Sequence, residues 1–153
     1  MTRELKYGVF TKPLTVEMLA NLMNGKGLRF FLSTSRYELG QEQFDIGISY
    51  CFPHIIDVNK FPGVCWFNYH PAPLPKYKGM TCFSDGVRDG VREWGVTLHR
   101  MINEVDSGEV VKIRRFGLDS IPSAVNELSN IAHYHLFQLF KETVESLEGL
   151  RIN

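Results

Sequence analysis

The sequence predicts an α/β fold built on an open, mostly parallel and twisted sheet, because short apolar runs alternate with helical patterns along its 153 residues. A long segment, residues 122–147, carries apolar side chains at helical spacing and predicts a long C-terminal helix. Four runs rich in apolar, β-branched or small residues predict strands, at residues 7–10, 29–33, 45–50 and 64–69, and the third of these suits a buried parallel strand. At this length we expect one domain, residues 1–153, with a substantial core.

Turn and cap residues set the elements of the N-terminal half. After the first strand, we predict a helix over residues 16–24, with Thr15 as its N-cap and with Gly25 and Gly27 ending it. The second strand leads into a polar segment, residues 35–43, that has no clear pattern. Few residues therefore separate the second and third strands.

The C-terminal half has a different order of elements. Residues 53–60 predict a short helix, and residues 81–93 predict another in spite of several glycines. Two further strands, residues 95–101 and 109–116, are joined by the turn-like residues 102–108. So short a connection predicts an antiparallel pair.

Composition favours a cytoplasmic protein with no nucleic-acid or membrane partner. Lysine plus arginine equals aspartate plus glutamate, at 17 each, so nothing suggests broad binding to polyanions. No apolar run approaches the ~18 residues that span a membrane, and residues 1–6 lack the apolar core of a signal peptide. Cys51, Cys65 and Cys82 are an odd number without a close pair, which predicts neither a disulfide framework nor a metal site.

Asn68 and His70 stand at the end of the fourth predicted strand, where open α/β sheets bind ligands. Two residues apart, they face the same side of the strand. An amide can donate to a developing oxyanion and an imidazole can transfer protons near neutral pH, which suits acyl transfer. Pro71, Pro73 and Pro75 stiffen the loop that follows. Taken alone, each polar residue fits a structural role better, as a turn cap or as a histidine bonded to backbone.

Three linked segments carry a more specific signal. Residues 68–79 contain Asn-x-His-Pro, residues 94–101 contain Gly-Val-Thr, and residues 105–111 contain Asp-Ser-Gly. In this order and spacing they resemble the motifs of the 10-formyltetrahydrofolate-dependent formyltransferase family, over roughly residues 45–116. Family members usually have a further strand and helix where this chain has only residues 34–44. The resemblance therefore implies a Rossmann-like sheet with a contracted N-terminal part.

The resemblance implies a chemistry and three catalytic residues. A formyl group would pass from 10-formyltetrahydrofolate, the formyl donor, to a primary amine. Asn68 would donate to the negative oxygen of the tetrahedral intermediate, and His70 would handle protons. Asp106 would orient the imidazole and accept the proton of the amine. The resemblance alone promotes Asp106, because a turn aspartate usually bonds its own backbone.

The resemblance also implies a pterin pocket in two loops. Six residues would flank the pterin ring: Phe52, Pro53, His54, Met101, Ile102 and Val105. Core packing explains each of these residues about equally well. His99 lies within a predicted strand, and we expect it to fill space rather than to enter the site.

The expected acceptor is a primary amine of a small molecule. The sequence His-Pro-Ala-Pro-Leu-Pro at residues 70–75 and the Ser49–Tyr50 strand end resemble the sugar-modifying branch of the family. This resemblance implies a nucleotide-linked amino sugar as acceptor, with glycinamide ribonucleotide as the main rival. Methionyl-tRNA is less favoured, since members that act on it carry a further C-terminal domain and the sequence ends at Asn153. Hydrolysis of the formyl donor and a non-catalytic folate-binding role stay open. Aromatic residues of the last helix allow a homodimer: Tyr134, Phe137 and Phe140.

Overall fold

The computed structural model describes residues 3–151 and contains a six-stranded sheet with the strand order β2-β1-β3-β4-β5-β6. The strands are β1 (Lys6–Thr11), β2 (Arg29–Ser33), β3 (Ile46–Tyr50), β4 (Cys65–His70), β5 (Glu93–Arg100) and β6 (Val110–Gly117). Pairing is parallel from β2 through β1 and β3 to β4, and antiparallel from β4 through β5 to β6. The predicted α/β fold with an antiparallel C-terminal pair is confirmed. Met1, Thr2 and Asn153, which entered the predictions above, lie outside the described residues.

Within the described residues, three α-helices accompany the sheet: α1 (Val16–Gly25), α2 (Cys82–Asp89) and α3 (Val125–Thr143). The main core lies between the sheet and α3, where Leu128, Leu136 and Phe140 are fully buried against strand residues such as Ile48 and Leu98. Phe140 therefore belongs to this core, while Tyr134 is 62% exposed. No helix within residues 3–151 is long and apolar enough to cross a membrane.

Helix ends differ from the predictions for local reasons. Thr15 stands at the N-cap position of α1, as predicted, but its side chain makes no capping bond, because its hydroxyl donates to the Lys12 carbonyl at 2.9 Å. Residues 53–60 form no α-helix, and Val58–Lys60 make only a single 3₁₀ turn, which the Asp57 side chain begins by accepting from the Asn59 N–H.

The last two helices are shorter than predicted. Gly90 adopts φ +64° and ends α2, so Glu93 begins β5 instead of closing a helix. At the start of α3, the Ser123 N–H and hydroxyl donate to the Glu127 carboxylate, and the helix begins at Val125 rather than at residue 122. After Thr143, with φ −118°, the chain continues as a 3₁₀ segment, Val144–Leu150.

The other face of the sheet is covered by aromatic side chains instead of a helix. The interval between β2 and β3 holds only the 3₁₀ turn Arg36–Glu38, which confirms the contraction of the N-terminal part. The side chains that we call the aromatic layer are Phe10, Phe31, Phe44, Phe52, Phe61 and Trp66. Their rings lie directly on the strands, since a Cβ at Gly47 would meet the Trp66 ring at 2.3 Å.

Candidate active site

The sheet register sets a row of polar side chains across three strands. Asn68 of β4 is paired with Ser49 of β3 on one side and with His99 of β5 on the other. Because side chains alternate along a strand, His70 faces the same side as Asn68, away from the core under α3. All of them line one cavity of about 460 Å³ near the carboxyl end of β4.

Asp106 reaches this row from the loop between β5 and β6. It adopts φ +53°, a left-handed conformation that aspartate tolerates better than most residues. Gly108 completes the turn, because a Cβ there would lie 1.6 Å from the Arg100 carbonyl oxygen. The turn holds the Asp106 carboxylate over β4, where its Oδ2 accepts from the Gly79 N–H at 2.7 Å and its Oδ1 accepts from Asn68 at 3.2 Å.

His70 presents one free nitrogen to this carboxylate. Its Nε2–H donates to the Tyr77 carbonyl at 2.7 Å, so the neutral ring carries no proton on Nδ1. Nδ1 lies 3.6 Å from Asp106 Oδ2. Burial lowers the pKa of His70, although the Asp106 charge and the Tyr77 carbonyl act in the opposite direction. The imidazole is thus a neutral base whose accepting atom faces an anion.

Asp106 is held in its ionised form. Burial alone would raise the pKa of Asp106, but its polar neighbours, the Gly79 N–H among them, favour the carboxylate and the net pKa lies below its usual value. The side chain is only 7% exposed, so its negative charge acts on its neighbours with little screening by water.

His99 belongs to the site, although the sequence favoured a space-filling role. Its Nε2 lies 3.0 Å from Asn68 Nδ2 and 3.6 Å from Asp106 Oδ1. One signal in the sequence could have found it. Val96 and Leu98 alternate with Thr97 and His99 along β5, so the polar pair faces away from the main core and toward the side of Asn68.

The cavity also gathers the six residues predicted to flank a pterin. Phe52, Pro53 and His54 follow β3, whereas Met101, Ile102 and Val105 follow β5. The two loops are tied together because Asn103 accepts from the Val58 N–H and donates to Asp57. The structure therefore brings all nine predicted site residues, three catalytic and six pterin-flanking, to one cavity. We call the part of the cavity that is lined by these two loops the loop side.

The rest of the lining, which we call the helix side, was not predicted. It includes Lys12, Cys51, Cys82, Phe83 and His133. Burial, with the charge of Lys12, lowers the pKa of His133 to about 4, and burial raises the pKa of Cys51 to about 12. The imidazole of His133 and the thiol of Cys51 are therefore neutral near pH 7, and Lys12 is the basic side chain of the helix side.

Fold and site together define the class: an α/β protein with an amide, an imidazole and a carboxylate around a cavity at the carboxyl end of its central strand. Comparison with known proteins gives the family. The chain belongs to the formyl transferase family, whose model matches residues 52–130.

Curated relatives share part of the chain. It is 30% identical over 96 residues to a methionyl-tRNA formyltransferase of Thermotoga sp. (strain RQ2), covering 62% of this chain and 29% of that protein. It is 34% identical over 85 residues to the Thermotoga neapolitana protein of the same name, covering 55% of this chain and 26% of that protein. The chain thus matches less than a third of the length of either relative.

Solved structures share the fold over nearly the whole chain. A 4-N formyltransferase from Francisella tularensis superposes with a TM-score of 0.80 at 15% identity, covering 97% of this chain and 71% of that chain. Phosphoribosylglycinamide formyltransferase from Streptococcus pneumoniae TIGR4 superposes with a TM-score of 0.73 at 21% identity, covering 94% of this chain and 98% of that chain. An N-formyltransferase from Helicobacter canadensis, in complex with folinic acid and dTDP-3-aminofucose, superposes with a TM-score of 0.72 at 20% identity, covering 96% of this chain and 65% of that chain.

Proposed function

We propose that this protein is an N-formyltransferase that moves a formyl group from 10-formyltetrahydrofolate to a primary amine of a small molecule. The observation that carries the proposal is the meeting of Asn68, His70 and Asp106 at one cavity, with Asp106 bonded to Asn68 at 3.2 Å and 3.6 Å from the His70 nitrogen. Membership of the formyl transferase family supports it.

Each of the three side chains has a part in the reaction. The unprotonated amine attacks the formyl carbon, and the former carbonyl oxygen takes up negative charge. An Asn68 N–H donates to that oxygen, in the manner of an oxyanion hole. His70 Nδ1 takes the proton released by the amine, and the Asp106 carboxylate 3.6 Å away stabilises the resulting imidazolium. The bond from the formyl carbon to N10 then breaks, and the proton passes to N10.

The loop side is suited to the formyl donor. Its residues are largely apolar, and Ile102 and Val105 remain 49% and 53% exposed, open to contact with a flat ring. The solved structure of the Helicobacter canadensis N-formyltransferase holds folinic acid, a folate derivative, which supports this assignment. We propose that Phe52, Pro53, His54, Met101, Ile102 and Val105 flank the pterin.

For the acceptor we propose a nucleotide-linked amino sugar. The helix side offers Lys12 to a phosphate group, among neighbours that are apolar or neutral: Cys51, Cys82, Phe83 and His133. The dTDP-linked amine in the Helicobacter canadensis complex supports this choice. Glycinamide ribonucleotide is the second candidate, because the Streptococcus pneumoniae enzyme is matched over 98% of its length. A homodimer stays a prediction.

The test uses the full chain, 10-formyltetrahydrofolate and a panel of amines: nucleotide-linked amino sugars, glycinamide ribonucleotide and methionyl-tRNA. Mass spectrometry follows the formylated product, and absorbance follows tetrahydrofolate. We expect turnover on one amine, reduced about 10²–10³-fold in Asn68→Ala. Asn126→Ala, on the exposed surface of α3, is the matched control and should keep full activity.

Two results would contradict the proposal. Formate release that does not depend on any amine would assign a hydrolase. Binding of 5-formyltetrahydrofolate without turnover on any member of the panel would assign a folate-binding protein. Turnover on methionyl-tRNA alone would keep the formyl transfer and replace the acceptor.

A further inference from the structure

Both amide hydrogens of Asn68 already have partners. Asn68 Nδ2 lies 3.0 Å from His99 Nε2 and 3.2 Å from Asp106 Oδ1. An oxyanion needs one of these two hydrogens. During the reaction, one partner therefore gives up its hydrogen bond with Asn68, while the other partner keeps the amide in place.

The tautomer of His99 follows from its other nitrogen. Nδ1 lies 2.8 Å from the Arg100 carbonyl, which can only accept, so Nδ1 carries the proton. In the neutral ring Nε2 is then an acceptor, and it takes one N–H of Asn68. The opposite amide orientation would point Asn68 Oδ1 at the lone pair of His99 and at the Asp106 carboxylate. Both contacts would be repulsive. His99 and Asp106 therefore both favour the orientation in which Asn68 Nδ2 faces them.

The two partners differ in what happens to them during turnover. In the proposed function His70 becomes protonated 3.6 Å from the Asp106 carboxylate. The carboxylate then interacts more strongly with the imidazolium, and its hydrogen bond with Asn68 weakens. His99 is 2% exposed, and its Nδ1–H donates to the Arg100 carbonyl, so its ring is held in place. It keeps its own hydrogen of Asn68 while Asp106 changes partners.

We propose that His99 is a positioning residue, which holds the Asn68 amide so that the hydrogen now given to Asp106 turns to the formyl oxygen. This inference rests on the proposed function. Without such a holder, Asn68 could rotate its amide by half a turn and present an oxygen to the oxyanion. That rotation exchanges an attractive contact for a repulsive one.

Three substitutions separate positioning from packing. In His99→Gln the side-chain oxygen can reach the place of Nε2 and accept from Asn68. In His99→Asn the amide ends near the place of Nδ1, so it can bond the Arg100 carbonyl but not Asn68. His99→Leu fills the space with no acceptor. We expect kcat to fall roughly 10- to 100-fold in the Asn and Leu variants, with KM for both substrates unchanged. The Gln variant should keep most of its kcat.

A second readout does not depend on turnover. The side-chain amide protons of Asn68, assigned in ¹H–¹⁵N spectra by their loss in Asn68→Ala, should exchange slowly with water in the wild type and in His99→Gln. They should exchange faster in His99→Asn and His99→Leu. If the wild type formylates no amine, the proposed function fails, and this exchange still decides the placement of Asn68 by His99.

The proposal is overturned by equal kcat values in the wild type and the Asn variant, or by unchanged Asn68 exchange in all three variants. Calorimetry with 5-formyltetrahydrofolate and circular dichroism check that each variant is folded. If the Leu variant does not fold, the Gln and Asn pair decides. Loss of folding in both the Gln and Asn variants would assign His99 a structural role and overturn the proposal.

Discussion

At the residue scale, burial acts differently on the two members of the His70–Asp106 pair. It lowers the pKa of His70 and so keeps the imidazole neutral, while the partners of Asp106 outweigh burial and keep the carboxylate ionised. A base and an anion therefore coexist near neutral pH, with 3.6 Å between the nitrogen and the oxygen. This is the charge state in which a proton from an amine is most readily accepted.

Asp106→Asn should lower the pKa of His70 further. The Asp106 charge stabilises the imidazolium and so raises that pKa, and its removal leaves burial less opposed. NMR titration of the His70 ring measures the change, and the acid limb of kcat/KM should move to lower pH. The rate itself should fall, by about 10²–10⁴-fold for the loss of a group in proton transfer. Asparagine accepts the φ of +53° at this position.

Asp119→Asn provides the matched control for this charge change, since Asp119 is exposed on the surface. It should leave both the His70 pKa and the rate unchanged. A His70 pKa that rises in Asp106→Asn would show that the two groups do not interact as described.

At the scale of elements, two loops hold the site in shape by bonding to each other. The proline-rich loop after β4 gives the Gly79 N–H to Asp106, and Lys78 Nζ donates to the Ser107 hydroxyl at 2.9 Å. The same loop supplies the Tyr77 carbonyl that fixes the ring of His70. The positions of His70 and Asp106 thus depend on one joined pair of loops.

The aromatic layer gives an element-scale prediction. In Gly47→Ala the new Cβ would lie 2.3 Å from the Trp66 ring, so we expect a loss of about 1–3 kcal/mol in the free energy of unfolding. Gly25→Ala is the control, because nothing lies within 4 Å of its Cβ, and it should stabilise by about 0.4–1 kcal/mol. Urea denaturation measures both. Equal effects at the two glycines would show that the ring does not rest on β3.

Strands could be predicted from the sequence more closely than helix ends. The run over residues 45–50 is nearly all apolar or small, since β3 is buried on both faces, and the structure begins it at Ile46. Helix ends depend on single contacts such as the φ of Gly90, which a pattern of apolar residues does not contain. Asn68 and His70 were visible as a strand end, whereas His99 required the register between β4 and β5. Asp106 came from the resemblance alone.

At the scale of the whole molecule, one sheet carries a separate cluster on each face. Trp94 lies in the main core under the helices, and Trp66 lies in the aromatic layer. Because both clusters are built on strands of the same sheet, we expect them to unfold together, as small single domains usually do.

The two tryptophans test this expectation. Trp66→Phe leaves Trp94 to report on the main core, and Trp94→Phe leaves Trp66 to report on the aromatic layer. Within each variant, the urea midpoint by fluorescence should coincide with the midpoint by circular dichroism. An earlier fluorescence transition in Trp94→Phe would show that the contracted part of the fold unfolds on its own.

The residues that line the cavity come from two parts of the chain, one before β4, where strand pairing is parallel, and one from β4 onward, where pairing is antiparallel. Asn68, His70, His99 and Asp106 all come from the chain between the start of β4 and the turn before β6, whereas Lys12 and Cys51 come from its first third. Under the proposed function, we therefore expect substitutions at Lys12 and Cys51 to change which amine is accepted and to leave the residues of formyl transfer in place.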